Sequence, residues 1–175
     1  MKLFLSFMLL LLTTQLFART SKESREEKTV EASVEAGYDY LFTTTQVGLG
    51  YYLNADNVLG LRAGQGKSDD EAQTSFSLYW KHFFGNSFYL MSDLNYLNST
   101  EKDFLSGLFF NNDTTYRYTS LGAHVRIGNQ WTFGNFNLGV DWFGIGHRLV
   151  TLKRENESEV ATTFTLANIR IGFNF

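Results

Sequence analysis

The amino-acid sequence predicts an all-β fold, a closed eight-stranded antiparallel up-and-down β-barrel that crosses a membrane. From Val30 onward eight runs alternate apolar and polar residues with period two, each about the nine to eleven residues that a tilted membrane strand needs. The connections between the runs alternate in length. The last run sets Thr165, Ala167, Ile169, Ile171, Phe173 and Phe175 on one face and Leu166, Asn168, Arg170, Gly172 and Asn174 on the other. One face is thus apolar to the final residue while the other carries a cation and two amides, as lipid outside and a polar lumen inside require.

Strand one is predicted over 30–41, with Val30, Ala32, Val34, Ala36, Tyr38 and Tyr40 outward and Glu31, Ser33, Glu35, Gly37 and Asp39 inward. Strand two, 45–53, turns out Val47, Leu49, Tyr51 and Leu53; strand three, 58–66, turns out Leu59, Leu61 and Ala63 and sends Arg62 inward. Strand four, 74–84, sets Phe76, Leu78, Trp80 and Phe84 against Ser75, Ser77, Tyr79 and Lys81. Strand five, 88–97, sets Phe88, Leu90, Leu94 and Tyr96 against Tyr89, Asp93 and Asn95, with Ser92 a polar interruption of the outer face. Strand six, 117–128, sets Leu121, Ala123, Val125 and Ile127 against Ser120, Gly122, His124 and Arg126. Strand seven, 136–148, sets Phe136, Leu138, Val140 and Trp142 against Asn137, Gly139, Asp141 and Phe143, and strand eight spans 162–175.

Short links at Asn54–Asn57, Gly85–Ser87 and Asn129–Asn135 are built from residues that tolerate turn geometry. Longer polar segments fall between them at Lys67–Gln73, Asn98–Tyr116 and Thr151–Ala161; the first link, Phe42–Thr44, is shorter than its class. Tyr51, Tyr52, Phe84, Phe88, Trp131, Phe133, Phe173 and Phe175 gather on the turn side, where an interfacial aromatic girdle belongs. Closure of the sheet leaves no unpaired edge in lipid.

Residues 1–18, with Lys2, an apolar run over Leu3–Leu12 and a small residue at Ala18, read as a secretory signal peptide, too short in its apolar run for a helical span. Residues 19–29 are of mixed charge without apolar period and read as a disordered leader; residues 30–175 form the barrel domain. There is no Cys, which excludes disulfides and lipidation at an amino-terminal Cys, and no Pro to interrupt a strand. Loss of Lys2 with the signal leaves one fewer than 15 basic residues against 18 acidic, a mildly acidic chain with no nucleic-acid partner. The mean hydropathy of −0.19 suits a barrel, in which only alternate residues face lipid.

The terminal run resembles the carboxy-terminal strand of bacterial outer-membrane β-barrels, whose last Phe and alternate hydrophobic residues are recognised by the barrel-assembly machinery. The resemblance implies that Ile169, Ile171, Phe173 and Phe175 are an assembly signal. Over residues 30–175 the chain resembles the small eight-stranded barrels of the OmpA and OmpX type. That likeness implies the outer membrane of a Gram-negative cell, both termini in the periplasm, and outer-membrane lipids with lipopolysaccharide as surroundings.

The inward face carries Arg62, Lys81, Arg126 and Arg170 with Glu31, Glu35, Asp39, Asp93 and Asp141, a set nearly balanced in sign. A soluble barrel with an apolar lining cannot hold these charges, and eight strands enclose room only for side chains. A lumen plugged by paired charges follows, with Arg62, Lys81, Asp93, Arg126, Asp141 and Arg170 its central members; a narrow ion-conducting pore is the alternative. A lipid-modifying enzyme is a second alternative, since His124 shares a face with Ser120 and stands near Asp93 and Asp141. His124 faces the lumen rather than lipid, however, and His82 and His147 fall at the membrane rims, so no catalytic residue, metal or cofactor is expected. Within the 98–116 loop, Phe104, Leu105, Leu108, Phe109 and Phe110 form an apolar cluster among polar residues. Such a cluster packs over the barrel mouth, dips into lipid, or contacts an extracellular protein or cell-surface ligand. The role expected is structural or surface-interacting, through the extracellular loops.

Overall fold

A strand whose two faces meet different solvents has a fixed register, because a slip of one residue exchanges the faces. The computed structural model describes residues 21–39, 42–68, 71–102, 115–155 and 162–175, and its strands obey that constraint. They are β1 (Val30–Asp39), β2 (Phe42–Asn54), β3 (Asn57–Ser68), β4 (Glu71–Phe83), β5 (Phe88–Lys102), β6 (Thr115–Phe133), β7 (Phe136–Glu155) and β8 (Thr162–Asn174). Each pairs antiparallel with its sequence neighbour and β8 pairs with β1, closing the barrel. The predicted outward residues of β2 to β6 are solvent-facing or half-buried, and Arg62, Tyr79, Lys81, Tyr89, Asp93, His124 and Arg126 are buried inside. The signal peptide, residue Tyr40 and the cluster from Phe104 to Phe110 lie outside the described residues.

The strands outrun the lipid-depth estimate. β5, β6 and β7 reach 15, 19 and 20 residues. The described parts of the predicted long segments Lys67–Gln73, Asn98–Tyr116 and Thr151–Ala161 are therefore strand, because polar residues continue a backbone ladder as well as apolar ones once a neighbour strand is beside them. The predicted turn Asn129–Asn135 narrows to Gly134 and Asn135, with Trp131↔Leu138 and Phe133↔Phe136 still paired and Gly134 at φ 62°. The predicted link Phe42–Thr44 likewise belongs to β2, where Thr44 faces Gly37.

Besides single-residue shifts at Leu53, Leu149 and Leu152, strict alternation fails at one paired position, for a reason visible in the side chains. At Trp142 the β6–β7 register shifts, and at Ala167, with φ 49°, the β8–β1 register shifts. These β-bulges lie opposite each other in the β7–β8 ladder, between the pairs Asp141↔Asn168 and Phe143↔Leu166. Each puts two consecutive residues outward: Trp142 with Phe143, and Leu166 with Ala167. Phe143 therefore faces out rather than in, Leu166 faces out, and Thr165 is fully buried in the lumen instead of on the lipid face. An uninterrupted period of two would have driven Phe143 and Leu166 into a charged interior.

Two further expectations change. Tyr52 is no girdle residue; it is buried in an inner cluster with Val58, Tyr79, Phe83, Tyr89 and Met91. The leader, read as disordered, contains a helical turn over 21–26 that packs under the barrel at the end of the tight turns. Its basic residues Lys22, Arg25 and Lys28 find partners on those turns, which a composition argument does not register.

Glycines on the inner faces make room for the tyrosine rings. A Cβ on Gly60 would lie 2.4 Å from the Leu49 carbonyl oxygen and from the Tyr79 ring, and one on Gly128 would lie 2.3 Å from the Val140 carbonyl oxygen and 2.7 Å from the Tyr89 hydroxyl. The backbone contact has nowhere to go. Gly60→Ala is expected to destabilise the barrel by about 1–3 kcal/mol, measured as a lower urea midpoint for the folded, heat-shifting band on unboiled gels. An unchanged midpoint would show that the β2–β3 ladder yields more than this spacing allows.

Candidate functional site

All eight strands contribute to one polar interior, arranged in two tiers. The lower tier, nearer the tight turns, is centred on Glu31 and Lys81. Lys81 Nζ donates to Glu31 Oε1 at 2.7 Å and to Gln130 Oε1 at 2.7 Å, and Gln130 Nε2 donates to Glu31 Oε2 at 2.9 Å. The Tyr52 hydroxyl lies 3.1 Å from Glu31 Oε2 and 3.3 Å from Asn174 Oδ1, which also accepts from Asn137 Nδ2 at 2.8 Å. One cation thus meets one anion on one oxygen, and an amide and a phenol meet the carboxylate's other oxygen.

The upper tier is built around Glu35. Three guanidinium groups converge on its carboxylate: Arg126 Nη1 at 2.8 Å on Oε1, Arg170 Nη2 at 2.8 Å on Oε2, and Arg62 Nη1 at 3.4 Å on Oε2. Two further carboxylates neutralise the excess. Arg62 Nη2 reaches Asp93 Oδ2 at 2.8 Å, while Arg126 and Arg170 reach Asp141 Oδ2 at 3.3 and 3.6 Å. Asp141 also accepts a very short hydrogen bond from the Tyr89 hydroxyl. Three arginines on three carboxylates make this tier neutral, as the lower one is, so neither leaves a net charge in a low-dielectric interior. Guanidinium fits such a position because its planar fork of five donors can face several carboxylates at once, which a lysine cannot.

The sequence-predicted members Arg62, Lys81, Asp93, Arg126, Asp141 and Arg170 are thus brought together. Glu31 and Glu35, read from the sequence as inward charges without special rank, are the hubs. The predicted inward residue Asp39 stands at the end of β1, and its side chain lies outside the described residues.

His124 completes the interior, with a neighbour at each ring nitrogen. Arg126 Nε donates to His124 Nδ1 at 3.1 Å, and Nε2 lies 2.9 Å from Thr165 Oγ1. Accepting from a guanidinium fixes Nδ1 as the lone-pair nitrogen and leaves the proton on Nε2, so the ring cannot take a proton from the hydroxyl it faces. Asp93 lies 3.9 Å from Nδ1, beyond a hydrogen bond, and does not orient the ring as a triad carboxylate would. His82 sits at the rim of the outer face, its Nδ1 2.9 Å from Asn57 Oδ1 and its ring edge-on to Phe84.

The outer face is an apolar belt. Ile169, Ile171, Phe173 and Phe175 are each about half exposed on it, and the backbone of Phe175 is tied to Val30 across the closing seam. Near the tight turns the indole nitrogens of Trp80 and Trp142 donate to Asn57 and Asn129, apolar bodies with a polar tip, as an interfacial girdle requires.

No family model matches the sequence, and no curated protein matches it. Among solved structures, the chain is similar to Neisserial surface protein A, NspA, with a TM-score of 0.55 and 15% identity over 84% of this chain and 95% of that one. It is also similar to the outer membrane protein Ail of Yersinia pestis, solved in a phospholipid bilayer nanodisc, with a TM-score of 0.48 and 14% identity over 85% of this chain and 100% of that one. The fold is that of the small eight-stranded outer-membrane β-barrels. In such a barrel the usual distribution is inverted: the exterior is the oily side and the polar interior takes the place of a hydrophobic core.

That inversion makes the interior pairs a stability determinant. Removing one partner of a buried ion network leaves the others charged and unpaired, at a cost of about 3–5 kcal/mol. Glu35→Gln strips the shared carboxylate from three arginines, so a fall of that order in unfolding free energy is expected from urea titration in detergent micelles. Ser92→Ala, on the outer face, is the control and should leave the midpoint within about 0.5 kcal/mol.

Proposed function

We propose that this protein is an integral outer-membrane barrel with both termini in the periplasm, a lumen plugged by its charge network, and a structural or surface-interacting role exercised at the loop end. The observation that carries the reading is the pair of neutral, fully buried tiers across the lumen. Side chains bound to one another leave no hydrated row of charges for an ion to follow. The start of β1, the end of β8 and the tight turns share one end of the barrel, which supports the periplasmic assignment for that end.

Work is then left to the opposite end, where β5, β6 and β7 carry the longest ladders and Leu149, Val150 and Leu152 stand exposed. The cluster of Phe104, Leu105, Leu108, Phe109 and Phe110 joins β5 to β6 at that end and is the contact surface we assign for an extracellular protein, another cell surface or lipopolysaccharide. Lipids surround the belt, and the assembly machinery reads Ile169, Ile171, Phe173 and Phe175 during biogenesis.

Purified protein is expected to be silent in a planar bilayer; discrete openings would favour the pore. Deletion of residues 104–110 should abolish binding to whole cells and to lipopolysaccharide vesicles while the heat-shifting band persists, and loss of that band instead would assign the cluster to packing. Deletion of Phe175 should reduce the amount of folded barrel recovered from outer membranes without changing the fold of what is recovered.

A further inference from the structure

The turn end of the barrel is covered by the residues that precede β1. Arg25 is fully buried there, and its guanidinium donates to three backbone carbonyls of two different turns: Nε to Ala55 at 2.8 Å, Nη1 to Asn86 at 2.6 Å and Nη2 to Gly85 at 3.1 Å. The same group lies 3.8 Å from the centroid of the Phe83 ring. Phe83 belongs to the inner cluster with Tyr52, Val58, Tyr89 and Met91, so Arg25 roofs an apolar surface that would otherwise open to water.

The neighbours of Arg25 reach the remaining turn. Ser21 Oγ accepts from the Thr132 amide at 3.0 Å and Lys28 Nζ donates to Asn135 Oδ1 at 2.5 Å, both at the β6–β7 turn, while Lys22 pairs with Asp56 at 3.0 Å in the β2–β3 turn. Immediately afterwards the amides of Thr29 and Val30 donate to the Phe175 carbonyl, where the chain's last residue closes the seam. One short segment therefore touches all three tight turns and leads directly into the turn end of the closing seam.

We propose that residues 21–28 are a latch that locks the three turns to the seam and seals the lower tier from water, with the Arg25 fork as its bolt. The chemistry is specific to arginine. Carbonyls of two turns converge on a point from different directions, and a planar group with five donors meets all three while stacking on the ring. An ammonium is a point charge and cannot cover the cluster. Burial lowers the Arg25 pKa to about 10, which leaves the bolt charged at neutral pH. The grip is on backbone, so it holds whatever side chains the turns carry. Lys81 Nζ lies 5.4 Å from the centroid of the same Phe83 ring, so lifting the latch exposes first the apolar cluster and then the Lys81–Glu31 pair.

The chain contains no Cys, so a single introduced thiol reports on the seal. Val58→Cys places it in the buried cluster, and labelling by a water-soluble maleimide is followed on folded protein in micelles. The thiol is expected to be nearly inert when Arg25 is present and to label about tenfold faster or more with Arg25→Ala, because several hydrogen bonds to a charged group are lost. Arg25→Lys should resemble Arg25→Ala, which separates the fork from charge alone. The heat-shifting band must be present in each variant; if Val58→Cys prevents folding, Met91→Cys takes its place. Equal labelling rates with and without Arg25, or protection kept by Arg25→Lys, would overturn the proposal.

Discussion

A closed barrel in lipid cannot rely on a hydrophobic core, because its apolar residues are needed outside, and so whatever fills the lumen must be polar and must satisfy itself. The convergence of Arg62, Arg126 and Arg170 on Glu35 is the solution this chain adopts, and much else depends on it. Glu35 stands on β1, its three arginines on β3, β6 and β8, and the balancing Asp93 and Asp141 on β5 and β7. β4 and β2 enter through Lys81 and Tyr52 in the lower tier. No strand can slip by one residue without pulling a member out of the network and turning it to lipid, where a basic side chain at midplane costs about 2–4 kcal/mol. The network fixes register as well as neutrality.

Fitting that network into eight strands imposes the remaining features. Arginine and tyrosine side chains crossing a narrow lumen need space on the wall they reach, and glycines such as Gly60 and Gly128 supply it where a Cβ would meet backbone. The bulges at Trp142 and Ala167 answer the opposite problem, a surplus of apolar residues. Two doublets, Trp142-Phe143 and Leu166-Ala167, would each have sent one member inward, and a paired one-residue insertion keeps both doublets in the belt without unpairing the ladder on either side. Thr165 is carried inward by the same step and becomes the partner of His124.

The parts legible in the sequence are those where a single solvent boundary writes itself into every second residue. The faces of β2 to β6, the balance of inward charges and the closure of the sheet follow from that period. Bulges are less legible because one residue shifts everything beyond it and leaves only an apolar doublet as a sign. Strand ends are harder still: beyond the lipid both faces are polar, and nothing in residues such as Ser99 or Thr119 says where the ladder stops. Two interactions could not be read at all. The ranking of Glu35 over the other inward acids depends on which side chains meet across the lumen, a long-range property, and Arg25 is held by carbonyls, which no sequence displays. Its neighbours Glu23, Glu26 and Glu27 give the segment a mixed charge without apolar period, which reads as disorder.

The two ends of the barrel are therefore unequal in what they can do. The turn end is drawn together by Arg25, Lys22, Ser21 and Lys28 onto backbone and short polar side chains, so its freedom is spent on closure. The middle is occupied by charges that neutralise one another tier by tier, and the one imidazole there has its lone pair engaged by Arg126. Transport needs groups that exchange partners with a passing ion, and hydrolysis needs a base with a free lone pair beside a reachable nucleophile; the interior groups, as placed, are turned toward one another instead. Variation that leaves the interior pairs intact has most room above the upper tier, on the extended ladders of β5, β6 and β7, where a change of side chain breaks no pair on which the register depends.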